Sequence, residues 1–143
     1  MYLVGIPLLV IPFVIYNIIE FVMPGSAPGT FWTHVVLRHR LASGAEWGLT
    51  ASDVMLTVSL LILFAELVKA TRLSSRSIVD HLLSTVLFVV MLLEFILFKE
   101  AATSTFFLLM MISFIDVIGG FSVSIRSAQR DFTVEGSNSI NRM

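Results

Sequence analysis

The chain has no cysteine, which removes disulfide bonds, thiolate metal sites and thiol nucleophiles at once. Histidine is almost as scarce. The 3 in the sequence, His34, His39 and His81, are too scattered for a metal cage, and they cannot face one another inside apolar helices as haem ligation in a bundle requires. Only 13% of residues are charged, against roughly 25% in ordinary soluble domains. A formal net charge of −1 and a pI near 6.3 create no broad field for nucleic acid or for an acidic partner. No Ser-His-Asp set, phosphate loop or HExxH pattern appears. These absences argue against an enzyme and against any bound cofactor. The opening MYLVGIPLLV has no basic region, and no small-residue cleavage pattern precedes Glu20. A removable signal peptide is therefore not expected, and the first apolar run should stay.

What is present is apolar. Of 143 residues 57% are hydrophobic, with a mean hydropathy of +0.94, more than a soluble domain of this size can hide. The pattern predicts an all-α, polytopic membrane protein, a four-transmembrane-helix bundle filling residues 1–130. A first span covers about residues 3–23 and stops at Pro24-Gly25, which cannot continue a helix. Pro7 and Pro12 inside it should kink it without breaking it. Residues 24–48 form an amphipathic external loop in which FWTHVVLRHRL mixes aromatic, apolar and basic side chains, an interfacial composition. Trp32 and Trp47 are expected at headgroup level. The second span, about 49–68, has two overlapping start signals, Ser43-Gly-Ala-Glu46 and Thr50-Ala-Ser-Asp53, each a capping box. After a short basic link, Ser77-Ile-Val-Asp80 opens the third span, about 78–98. The fourth covers about 101–125. Residues 131–143 are then a polar cytoplasmic tail, mobile beyond Asp131.

Lys69, Arg72, Arg76, Arg126, Arg130 and Arg142 gather on the side of the link between spans two and three, against Arg38, Arg40 and Lys99 opposite. This bias sets both termini on the cytoplasmic side of a bacterial inner membrane.

Ionisable residues within spans are functional candidates by default. Asp53 and Asp80 fall at the third position of capping boxes, where they serve helix starts. Glu20 and Glu94 sit one turn from the external ends of spans one and three, within reach of water or a proton. Glu66 has Lys69 three residues on, a spacing that pairs side chains. Asp116 differs. It lies about 13 Å along the helix from the cytoplasmic end of span four, too deep for a short side chain to reach the surface. Ser113, Gly120 and Ser124 share its face, with Gly119 beside them, and such residues mark close helix contact. Polar or small stripes recur in the other spans, at Ser52, Ser59 and Glu66 and at Asp80, Ser84 and Glu94.

Two functions from different classes follow. One is a non-catalytic accessory or structural subunit of a larger inner-membrane complex, packing through these polar and small faces. The other is a small homo-oligomeric proton-coupled transporter or channel, with Asp116 titrating and Glu66 or Glu94 as relay. A quinone or lipid headgroup beside His81 and Arg76 is a third expectation. The partners implied are the lipid bilayer and other membrane subunits or further copies of the chain.

Overall fold

The computed structural model describes residues 6–22, 27–71 and 77–140, without the side chains of 77, 78, 124 and 126–140. Three helices are long and apolar enough to cross a membrane: α2 (Ala51–Ala70), α3 (Ser77–Leu97) and the first part of α4 (Ser104–Ile140), its stretch Ser104–Val123. At 1.5 Å per residue each such stretch spans about 30 Å, the thickness of a hydrocarbon core. Their outward faces carry large apolar side chains, Phe64 at 68% and Ile96 at 67% exposed among them.

The inward faces follow helical spacing. α2 turns in Met55, Ser59, Leu63 and Glu66; α3 turns in His81, Ser84, Leu87 and Met91. α4 lies against both and is the central element. It buries Phe106, Leu109, Met110, Ser113 and Asp116 at steps of three and four. The polar stripes seen in the sequence therefore point into the chain's own core. Ser59 returns its hydroxyl to the Met55 carbonyl at 2.8 Å, and Ser52 meets Thr105 at 2.9 Å.

The first apolar run is shorter than the sequence suggests. α1 is regular over Val10–Asn17 and continues as a π-helical turn, Ile18–Val22. Residues 10–22 rise only about 20 Å. Proline sets the start: Pro7 stands before the helix, its carbonyl accepting from the Val10 amide at 3.1 Å. Pro12 falls in the first turn, where an amide would have no helical partner. The expected internal kink is thus a late start. Residues 3–5 and 23 of the expected span lie outside the described residues.

A two-stranded sheet stands where a loop was expected, so the fold is not purely helical. β1 (Val35–Arg40) and β2 (Glu46–Thr50) pair antiparallel, with a bulge between Val35 and Leu37. Gly44 takes φ +84° in the connecting turn, a conformation glycine adopts without strain. Of the two start signals for α2, the second operates. The Thr50 hydroxyl accepts from the Asp53 amide at 3.2 Å, and the Asp53 carboxylate accepts from the Thr50 amide at 2.8 Å. Glu46 belongs to β2 instead. α2 begins at Ala51, two residues later than expected, because the strand runs directly into its cap. At the other end α4 remains helical to Ile140, through residues expected to form a mobile tail.

Trp32 is 2% exposed and stacks on Tyr16, with ring centroids 5.0 Å apart and planes 4° from parallel. Its indole packs inside the chain instead of facing lipid. Tyr16 in turn packs on Phe106 at 4.8 Å. Its hydroxyl donates to the Glu100 carbonyl at 3.1 Å and lies 2.6 Å from the Thr103 hydroxyl. Thr103 caps α4 by accepting from the Phe106 amide. One aromatic thus locks α1, the segment before β1 and the start of α4. We expect Tyr16→Phe, which keeps the stacking but deletes the hydroxyl, to cost about 1–2 kcal/mol. Thermal unfolding in detergent checks this; an unchanged midpoint would show that the hydroxyl contacts do not hold α1 in place.

Candidate functional site

The described polar side chains gather at two levels. The first is the meeting point of the C-terminal end of α2, the N-terminal end of α3 and the middle of α4. Glu66, only 5% exposed, uses both carboxylate oxygens. One accepts from the backbone amide of Leu8, just before α1, where unpaired amides and the helix dipole favour a negative charge. The other lies 2.8 Å from Lys69 Nζ, on the same face because the two residues are three apart. Lys69 reaches on to Asp80 Oδ2 at 3.9 Å. The expected Glu66–Lys69 pair is therefore present, and it extends to a second helix.

Asp116, also 5% exposed, belongs to the same cluster. Its carboxylate is hydrogen-bonded by Ser84, and Glu66, His81 and Lys69 lie within electrostatic reach. Its Oδ2 and the buried Ser113 Oγ have no hydrogen-bond partner among the described residues. Glu66 and Asp80 thus lie against Lys69, and Asp116 joins them from α4 with His81 near it, ionisable groups of both signs in a place where charge is costly.

Glycine makes this convergence possible. A Cβ at Gly120 would lie 2.5 Å from His81 Nδ1 and 2.6 Å from its Cε1; at Gly119 it would lie 2.5 Å from Leu67 Cδ2. The small face of α4 is therefore filled from within the chain, by α3 on one side and α2 on the other. His81 is further enclosed by the Phe121 ring, 5.6 Å away. Arg76, expected beside it for a quinone or lipid headgroup, lies outside the described residues, as does the Ser124 side chain. Three of the cavities among the described residues open at the hairpin, between Asn17 and Phe98, and between Pro28 and Thr105; His81 lines none of these three. No group of three or more His, Asp or Glu side chains among the described residues could hold a metal ion.

The second level lies at the opposite end. Glu20 accepts from the Gly29 amide at 3.1 Å, held there by the π-helical turn. Asn17 reaches Glu94 at 3.4 Å, beside an apolar groove of about 370 Å³ lined by Phe21, Leu93 and Phe98. Ten residues of α3, about 15 Å of rise, separate Glu94 from Ser84. Asp116 is therefore brought together with Glu66 and not with Glu94 or Glu20. Sequence patterning missed Leu8 as a partner, since a backbone amide carries no side-chain signal. It assigned Asp80 to a cap, whereas the carboxylate also faces Lys69.

No protein-family model, no curated protein and no solved structure matches this chain.

The two glycines make the packing testable. Gly→Ala adds about 1 kcal/mol of helix propensity at either site. At Gly120 the methyl meets a ring fixed by its own helix, and overpacking costs about 1–3 kcal/mol; at Gly119 it meets the flexible end of a leucine. Gly120→Ala should lower the melting temperature and Gly119→Ala should leave it nearly unchanged. The reverse order in a thermal melt would show that α3 does not approach α4 through Gly120.

Proposed function

We propose that the chain is a small proton-coupled transporter or channel of a bacterial inner membrane, a four-helix membrane bundle with both termini cytoplasmic, working as a homo-oligomer. The observation that carries this is the cluster in which buried Glu66 and part-buried Asp80 lie against Lys69, and buried Asp116, with Glu66, His81 and Lys69 in electrostatic reach, has an Oδ2 without a partner among the described residues. Asp116 is the titrating group. Glu66, already shared between Lys69 and the Leu8 amide, is the relay toward the end of the bundle from which α1 starts. The Lys and Arg bias of the sequence puts that end in the cytoplasm.

Beyond Asp116 the route is closed. Phe106, Leu109 and Met110 are all buried between Ser113 and Thr105, about 12 Å along α4. Passage therefore needs α4 to move against α2 and α3, and the close glycine contacts are where such a movement would be felt.

The test is proton flux into proteoliposomes holding a pH-sensitive dye under an imposed gradient. Wild-type protein should dissipate the gradient. Asp116→Asn, which preserves shape and the hydrogen bond to Ser84, should slow dissipation at least tenfold, a loss of the size a positioned proton-transfer group produces. Glu94→Gln, about 15 Å away along α3, should retain most of it. Absence of flux in the wild type, or full flux in Asp116→Asn, removes this function.

One observation favours a second function, a non-catalytic accessory subunit of a larger inner-membrane complex. The members of the cluster also tie helices together: Glu66 joins α2 to the start of α1, Lys69 joins α2 to α3, and Asp116 joins α4 to α3. A static bundle would use them in this way alone. Its partner surface would be the apolar exterior, because the small and polar faces are filled internally. Gentle solubilisation of native membranes should then release the chain with a stoichiometric, different membrane protein; recovery of the chain alone or only with copies of itself excludes it.

A further inference from the structure

The hairpin gains little from ordinary packing, its strands being mostly exposed. A two-stranded sheet is marginal in water on its own, yet Val36, Leu37, Leu41 and Trp47 stand 60%, 55%, 44% and 47% exposed on it. Its register sorts the side chains by face. Leu37 opposes Leu49 and His39 opposes Trp47, while Arg38 opposes Gly48 and Arg40 opposes Glu46. Since side chains alternate along a strand, Leu37, His39, Trp47 and Leu49 share one face and Arg38, Arg40 and Glu46 share the other. One face is apolar and aromatic; the other carries two guanidinium groups against one carboxylate.

Its position narrows what can cover it. β2 passes into α2 with no linker, Thr50 being at once the last strand residue and the helix cap. The Ala51 amide also donates to the His34 carbonyl at 2.9 Å, fixing the root of the hairpin to the start of a helix able to cross a membrane. The hairpin therefore leaves the bundle at the level of the lipid headgroups. The bulge between Val35 and Leu37 lies at that root, and bulges bend the strand that carries them.

We propose that the hairpin lies on the bilayer and docks an anionic phospholipid surface. The Leu37–Trp47–Leu49 face enters the ester region, where indole rings are favoured. Arg38 and Arg40 sit one layer higher and bind phosphate, beside a cleft of about 490 Å³ that both arginines, Trp47 and Glu46 line. Guanidinium suits this ligand because its fork of donors matches phosphate oxygens. The charge balance of the face selects lipids whose headgroups are net negative over zwitterionic ones.

The sequence has 2 tryptophans, and Trp32 is buried, so Trp47 reports on the hairpin. The experiment uses the full chain in nanodiscs of phosphatidylcholine with increasing phosphatidylglycerol, doped with phospholipid brominated near the carbonyl. Fluorescence of Trp47→Phe is subtracted to remove Trp32. Trp47 quenching should rise with phosphatidylglycerol and fall with salt. Each of Arg38→Gln and Arg40→Gln should raise the phosphatidylglycerol fraction at half-maximal quenching by about five-fold, the equivalent of roughly 1 kcal/mol per basic residue near an anionic surface. Both arginines are exposed, so the variants should melt like the wild type. Three results overturn the proposal: a Trp47 that stays open to aqueous quencher at every composition, quenching that is equal in pure phosphatidylcholine, and protection of Trp47 in native membranes but not in nanodiscs. The last would assign the face to a protein.

Discussion

Glu66 is the residue on which the arrangement of the bundle depends. Its carboxylate sits among helices long and apolar enough to cross a membrane, where an unpaired charge is untenable, and its two oxygens are bound by the segment before α1 and by its own helix. The Leu8 amide ties the segment before α1 to α2, and Lys69 carries the connection to Asp80 at the start of α3. In lipid there is little hydrophobic force between helices, so such polar ties and close backbone contacts decide which helices meet. At the other end Tyr16 does similar work, with Trp32 stacked on it and Thr103 beneath its hydroxyl. A short α1 is held at both ends by groups that are polar at the point of contact and apolar around it.

Much of this was legible in the sequence because the bilayer imposes a simple rule on composition. Apolar runs of about 20 residues are long enough to span as helices, and the three such stretches fall within a few residues of their expected limits. Glu66 with Lys69, and Asp116 with Gly120, were visible because helical spacing brings them to one face. Other features depended on contacts between elements. Proline in a first turn and proline inside a span look alike until the helix start is known, so α1 read longer than it is. The residue type suggests a headgroup-level position for Trp32, but only its stack on Tyr16, sixteen positions away, shows that its ring is packed within the chain. The hairpin was masked by basic residues and by a competing cap signal at Glu46, although VVLRHR and EWGLT are rich in residues that suit strands.

The small and polar faces have a different meaning once their partners are known. In the sequence they suggested a surface awaiting another subunit. In the fold Gly119 and Gly120 are occupied by Leu67 and His81, and the serines point inward. What the chain presents outward is an apolar cylinder and, at one end, an amphipathic sheet. The interior, by contrast, gathers Glu66 and Asp116 at the level of Lys69 and His81.

The central claim is that the buried acids act as one proton-exchanging unit built around Asp116. Its most direct test is infrared difference spectroscopy of the reconstituted protein across a pH titration, following the carboxyl carbonyl stretch. One titrating component of the wild-type band should be missing in Asp116→Asn and altered when Glu66 is replaced by glutamine, while the bands of the other carboxyl groups remain. Identical titrating bands in the wild type and in Asp116→Asn would contradict it.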